Sequence, residues 1–308
     1  VTWNGKRIDW INVVYFSALH VGAVFALWTF SWTALAVFAA LLWLSFSLGI
    51  GVTYHRLLTH RGYTVPKWLE YPFTVCGMLA SESGAISWVA MHRMHHTLSD
   101  RPGKDLHTPK DGFLWSHVGW VITRIGYDMR DIERRYAPEL VADPVHRVLN
   151  RLHLLPNILV ALALYAWGGW PLVVWGVFLR LVVGLHATWF VNSAAHTWGY
   201  RTYDTPEGST NLWWVGLIAW GEGWHNNHHA FQRSARHGHE WWELDTNWMV
   251  IRTLEKLGLA RDVQLLPAGA ERFRADRGDQ PRAAAMNAAS LLASSEPAVR
   301  TPLQTSTP

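Results

Sequence analysis

The sequence predicts an all-α membrane protein: four transmembrane helices in two hairpins, with a cytosolic helical cap that holds a histidine-rich metal site. Three observations carry this prediction. From Trp10 through His55 there is no Asp, Glu, Lys or Arg, and from Leu152 through Tyr200 the one such residue is Arg180. About 20 apolar residues cross the bilayer core, so each stretch is long enough for two helices and a short turn. The 21 tryptophans suit a chain at a membrane interface, where the ring is apolar and the N–H is wet. Nine of the 17 histidines are His55, His60, His92, His95, His96, His196, His225, His228 and His229, eight of them in three tight boxes.

Taken in order, the first ten residues are polar and mixed, so no cleavable signal peptide is expected in them. Spans near 11–30 and 33–53 follow, with a turn around Ser31. The cap then occupies 54–153. Its apolar segment 68–91 is interrupted by Glu82-Ser83-Gly84 and is expected to lie on the membrane or dip into it. Spans near 154–170 and 172–191 come next, the first of them shortened by Pro156 and the turn Gly168–Pro171. The cap resumes over 197–267, where Trp213, Trp214, Trp220 and Trp224 are expected to form an interfacial helix. After this membrane domain of residues 1–267, the segment 268–308 turns to Ala, Ser, Pro, Arg and Thr, the composition of a disordered tail. A single Cys76 excludes an internal disulfide.

Charge sets the orientation. Residues 56–151 carry thirteen Lys or Arg, whereas the two presumed turns carry none, so both termini and the histidine segments are expected in the cytosol, at a bacterial inner membrane. The net charge of +4 then reads as a basic collar on anionic lipid and not as a nucleic-acid site. Oligomeric state is left open.

Neutral imidazole is the commonest metal ligand, and nitrogen-rich sites suit iron, copper, zinc or nickel. His92, His95 and His96 stand at i, i+3 and i+4, as do His225, His228 and His229, so on a helix each trio shares one face and can grip one metal or bridge two. His55 and His60 are five apart, which an ideal α-helix puts off one stripe. They are expected to straddle a helix end or to serve different metals. Structural zinc wants four ligands, often with thiolates, and a transporter would place its ligands at mid-membrane. A two-metal, oxygen-activating site facing a lipid-accessible cavity remains.

Thr188, Asn192 and His196 recur every four residues and Trp88 lies one turn before His92, so Thr188 and Trp88 are expected beside the metals on the membrane side. His186 is expected to hydrogen-bond a ligand ring from outside, and Asp105, Glu222 and Asp245 to orient such rings. His20, His146 and His153 read as structural. Arg180 requires a partner that sequence does not name.

With Asn192-Ser-Ala-Ala-His196, Gly221-Glu-Gly-Trp-His225 and Gly112-Phe-Leu-Trp-Ser-His-Val-Gly-Trp120, the three boxes resemble the membrane-bound fatty acyl desaturases of the stearoyl-CoA and bacterial acyl-lipid type, over about residues 5–260. The resemblance implies that the nine histidines hold two irons, that Asn192 holds a water at the site, and that no catalytic residue is needed beyond the di-iron centre. His107 and His117 are not ligands in that family. It further implies O₂ as co-substrate and a cis double bond, at Δ9, in a saturated C16 or C18 acyl chain carried by membrane lipid or CoA. Trp88, Thr188 and Trp189 would line the bend of the acyl tunnel. No fused haem or flavin motif is visible, so electrons would come from a separate ferredoxin, rubredoxin-like or cytochrome b5-like donor with its reductase. Lys104, Lys110, Arg124, Arg130, Arg134 and Arg135 are expected to meet either that donor or lipid headgroups. Ala90-Met91 replaces the Arg-Asp pair that animal acyl-CoA members carry near the CoA headgroup. This leans toward the acyl-lipid type, or toward a bacterial acyl-CoA enzyme with a different headgroup site. The alternatives are a di-iron hydroxylase or ketolase of a carotenoid or alkane, and a metal-ion transporter.

Overall fold

The computed structural model describes residues 1–124 and 126–275 and is mainly helical. A hairpin of β1 (Thr2–Trp3) and β2 (Lys6–Arg7) precedes α1 (Trp10–Val24), which tightens into a 3₁₀ turn at Phe25–Trp28. The Asp9 carboxylate starts α1 by accepting from the Ile11 and Asn12 amides, two of the donors that a helix start leaves unpaired. Ser31 does the same for α2 (Trp32–Leu42) through the Ala34 amide. Beyond Leu42 the helix widens to i→i+5 hydrogen bonding over Trp43–Thr59. The second run is thus longer than the expected 33–53 and carries His55 on its last turn.

Three runs, Trp10–Trp28, Trp32–Thr59 and Leu155–His196, are long and apolar enough to cross a membrane. The last contains α8 (Leu155–Val173), a wide-turn stretch Val174–Leu179, α9 (Arg180–Ser193) and a 3₁₀ turn at Ala194–His196. Its helix is broken at Gly168 and Gly169, the latter at φ +68°, where the turn was expected. Ile11, Val21, Leu27 and Trp28 on the first run and Ile158, Leu159 and Leu162 on the last are exposed. An apolar surface of this extent on a solvated monomer would be a liability.

The buried Arg180 finds its partners inside the helix bundle. Its guanidinium donates to the carbonyls of Gly176 and Leu79, to Ser45 Oγ at 2.6 Å and to Asn157 Oδ1 at 2.6 Å. These neutral acceptors spread over four segments, so the cation serves as a cross-brace.

Segment 68–91 is two helices, not one: α3 (Lys67–Met78) and α4 (Ala85–Leu98), separated by a turn in which Ser81 and Ser83 take positive φ. Asn150 Oδ1 accepts the Ile86 amide and so closes the start of α4 from α7 (Pro144–Arg151), which follows α5 (Met129–Tyr136) and α6 (Pro138–Ala142). α3 crosses the wide-turn helix at two glycines: a Cβ on Gly49 would lie 2.5 Å from the Cys76 and Gly77 backbone, and one on Gly77 would enter the Tyr54 ring. Gly49→Ala is therefore expected to lower stability by about 1–3 kcal/mol, read as an earlier thermal transition in detergent. An unchanged transition would mean that the crossing is loose.

The expected tryptophan helix is also shorter. α10 covers only Trp213–Ile218, Trp220 adopts φ +53°, and Trp224 is buried with Nε1 donating to the Leu244 carbonyl. α11 (His225–Ala230) and α12 (Thr246–Lys256) follow, α12 capped by Asp245. Residues 268–275, expected in the tail, form a 3₁₀ turn and pair with 202–204 through Asp204 N to Phe273 O and Ala275 N to Thr202 O. The rest of that expectation, 276–308, lies outside the described residues.

Candidate metal centre

The nine histidines converge as two groups. His55, His60, His92, His96 and His228 form one, and His95, His196, His225 and His229 the other, the ligand atoms within each lying within 4.8 Å of one another. Each helical trio therefore bridges both groups: α4 sends His92 and His96 to the first and His95 to the second, while α11 sends His228 to the first and His225 and His229 to the second. The i, i+3, i+4 spacing explains this, because residues four apart stack closely while the residue between them is rotated to one side. His55 and His60 do straddle a helix end, but they belong to one group. The His60 amide donates to the His55 carbonyl, an i→i+5 bond that brings their ring centroids to 4.8 Å.

The donor set fits metal ions. His228 Nε2 lies 3.1 Å from His55 Nε2 and 3.0 Å from His96 Nε2, which in turn is 3.0 Å from His92 Nε2. One nitrogen cannot share a proton with two others, so hydrogen bonding does not satisfy this array. Metal–imidazole bonds of about 2.0–2.1 Å at right angles separate ligand nitrogens by about 3 Å, the spacing seen. In the second group His225 and His229 meet at 3.1 Å through Nε2, and the buried Nε2 atoms of His95 and His196 have no hydrogen-bond partner.

Carboxylates hold the outer ring nitrogens. His55 Nδ1 is 2.6 Å from Glu222, His95 Nδ1 2.9 Å from Asp105, and His196 Nδ1 3.0 Å from Asp100. His229 Nδ1 is 3.6 Å from Glu207. A carboxylate on Nδ1 keeps the proton there and points the Nε2 lone pair inward. Burial would raise the acids, yet His196 holds Asp100 well below the ordinary carboxylate range, and His95 with His107 does the same for Asp105. Arg56, then His55 and His237, keep Glu222 ionised against the same burial. Burial, reinforced by neighbouring rings, pushes His92, His96, His225, His228 and His229 well below the usual histidine value, so they are neutral, the form that ligates. Four carboxylates so placed supply negative charge that would offset bound cations, and Glu222 and Asp245 also pair with the buried Arg56, at 2.8 Å and 2.9 Å.

Two expected outer partners lie elsewhere. His186 spends its nitrogens on His20 at 3.0 Å and His117 at 2.9 Å and touches no clustered ring. Asp245 reaches Arg56 and the His237 amide instead. Asp100, Glu207, Arg56 and His237 are site residues that sequence reasoning missed. Asp100 is 96 positions from His196, and no local spacing announces such a pair. His237, buried with its ring 4.5 Å from that of His228, sits 3.3 Å from Glu222 and belongs to no box.

A cavity of about 720 Å³ runs up to this site. Its wall includes Trp88, Thr188, Trp189 and Asn192 together with His55, His92 and His225. Trp88 stacks on His92 with centroids 4.9 Å apart and donates Nε1 to Glu82 at 2.9 Å. Glu82, read in the sequence only as an interruption, is thus a half-buried acid on the cavity wall.

Comparison with known proteins agrees with this architecture. The model of the fatty acid desaturase family matches residues 26–264. The chain is 49% identical to the sn-1 stearoyl-lipid 9-desaturase of Anabaena variabilis over 84% of this chain and 95% of that one. It is 47% identical to the sn-2 palmitoyl-lipid 9-desaturase of Nostoc sp. (strain 36), with 86% and 93% covered. A third relative, the sn-1 stearoyl-lipid 9-desaturase of Synechocystis sp., is 45% identical over 84% and 81%. With the family matched across most of its length and three of the clustered histidines in the cavity wall, the chain belongs to the fatty acid desaturase family.

Proposed function

We propose that this protein introduces a cis double bond between carbons 9 and 10 of a saturated C16 or C18 chain esterified in a membrane lipid. The observation that carries the reading is the cavity whose wall contains Trp88 and Thr188 together with His55, His92 and His225, Trp88 stacking on His92 with ring centroids 4.9 Å apart. A flexible chain held in such a cavity presents the carbons that reach the histidines, so the position is set by distance from the anchored headgroup. In balance, –CH₂–CH₂– + O₂ + 2e⁻ + 2H⁺ gives –CH=CH– + 2H₂O. The nine histidines would hold two irons, with Asn192 holding a water beside them, and the iron supplies O₂ activation when bound. The chain's own part is to position and to keep dry. Asp100, Asp105 and Glu222 hold the Nδ1 protons of His196, His95 and His55, Glu207 adds negative charge beside His229, and Trp88 and Trp189 wall off water from the cavity.

Lipid is favoured over CoA by the cavity mouth. There Asp9, Ile11, Tyr127 and Leu154 accompany Arg124, the one Lys or Arg lining the cavity among the described residues, too little positive charge for a nucleotide bearing several phosphates. The relatives named above, all lipid 9-desaturases, point the same way. Four spans, with the Leu155–His196 run folded at Gly168–Gly169 and both termini on the histidine side, suit the charge-free runs and the basic segment between them. A reporter fused after residue 308 is expected to be active only in the cytosol.

The deciding experiment expresses the chain in a desaturase-deficient host and locates the double bond by mass spectrometry of disulfide adducts. Loss of two mass units at Δ9 in both C16 and C18 lipids is expected. A gain of 16 would favour a hydroxylase, and a position counted from the methyl end would remove the distance-from-headgroup argument. Trp88→Ala is expected to spread the double bond over neighbouring positions while iron content stays the same, since Trp88 packs on a ligand ring without binding metal. A single unshifted position in that variant would mean that Trp88 only packs.

A further inference from the structure

We infer that electrons enter through a second, arginine-lined opening beside His60 and His96, and that its partner is a soluble one-electron carrier with an acidic docking face. This rests on the desaturase reading, which requires two external electrons per double bond, each given up by one reduced carrier as it is oxidised and taken up with the two protons of the overall balance.

The opening has a volume of about 510 Å³ and lies against Thr59, His60, Arg61, Arg93, His96 and Arg233. It differs from the acyl cavity in every relevant respect. The acyl cavity is walled mainly by apolar side chains and reaches His55, His92 and His225. The second opening reaches a different edge of the histidine array, and His96 there is only partly buried, whereas all histidines of the second group are buried. Electron transfer weakens steeply with distance, so a carrier gains most by docking where a ligand ring comes nearest the surface.

Charge selects the carrier. Arg61 and Arg93 share Glu139, at 2.8 Å and 2.7 Å, so with Arg233 the rim keeps an excess of two positive charges. The rim is also rigidly tied to the ligand. Arg93 donates to the carbonyls of Leu58, Thr59 and Tyr136, bracing the turn that ends in His60. Arg61 follows His60 directly, at φ +50°, and its side chain is 59% exposed. Such a rim steers an acidic partner and fixes its orientation. Of the cations that the sequence suggested for this task, Arg124 lies instead at the mouth of the acyl cavity, where lipid headgroups would gather.

The test uses the full-length, iron-loaded protein in detergent and a pre-reduced plant-type [2Fe–2S] ferredoxin freed of excess reductant. Ferredoxin reoxidation is followed by absorbance in an anaerobic stopped-flow instrument. In Arg61→Glu/Arg233→Glu the bimolecular rate constant at low ionic strength is expected to fall by about tenfold or more, with a flatter salt dependence. Lys104→Glu/Lys110→Glu is expected to stay within about twofold of the unaltered protein. Arg61→Gln/Arg233→Gln should fall between them, and unchanged iron content in every variant guards against misfolding. An unchanged rate in the arginine variants, or an equal loss in the lysine variant, would overturn the assignment. A parallel single turnover with dithionite and O₂ bypasses the carrier and should give equal double-bond yields in all variants. No double bond even in the unaltered protein would sink the desaturase reading, while the ferredoxin rates would still judge the port.

Discussion

His95→Ala and His228→Ala should each lower bound iron from about two ions per chain to about one, with turnover falling to background. The two changes strike different groups. Without His95 the second group keeps three of its four histidines, and without His228 the first loses the nitrogen that lies 3.1 Å from His55 and 3.0 Å from His96. Desaturation needs both ions, so either loss stops it, whereas iron content reports each group separately. Metal analysis of the purified variants beside a turnover assay makes the check, and His146→Ala is the control. His146 is as deeply buried but pairs with Glu70 at 2.8 Å, outside both groups, so iron should remain. Both variants retaining full iron and turnover would refute the ligand assignment.

The next largest effect is expected from a residue that touches no metal. Asp105→Asn should weaken iron binding by about 10–100-fold, with activity recovering as free iron is raised. The Asp105 carboxylate accepts from His95 Nδ1 at 2.9 Å and from the Asp100 amide at 2.9 Å, and it is buried. An amide retains the shape but removes a negative charge beside a cation, and it can offer N–H groups to a nitrogen that must itself donate. A chelator-competition measurement reads the affinity directly. Equal affinity in the variant would show that His95 is oriented by its helix alone.

The legible features of this protein are those written in local spacing. The charge-free runs, the glycine break near residue 168 and the helical histidine trios each depend on residues close together along the chain. Where a sequence-based expectation fails, tertiary packing overrides a local rule. The pair His55 and His60 is mismatched on an ideal α-helix, and the i→i+5 bond to His60 removes that mismatch. The tryptophan-rich segment reads as one amphipathic helix, but Trp220 turns the chain at positive φ and Trp224 is needed inside. His186 reads as an outer partner because ligating imidazoles usually have one, yet its nitrogens meet His20 on α1 and His117.

Sequence alone determined that the chain has long apolar helical runs and that its clustered histidines are spaced to share helix faces, as a metal site needs. Those conclusions depend on composition and on contacts within four residues along a helix, which the chain carries with it wherever it folds. The tertiary structure alone decided how nine imidazoles divide between two groups, and which acid holds which ring. Glu222 meets His55 across 167 positions and Asp100 meets His196 across 96. Only the packing of α4 and α11 against the ends of two long helices brings such distant groups within hydrogen-bond reach, because a buried carboxylate must find its cation wherever the fold supplies it.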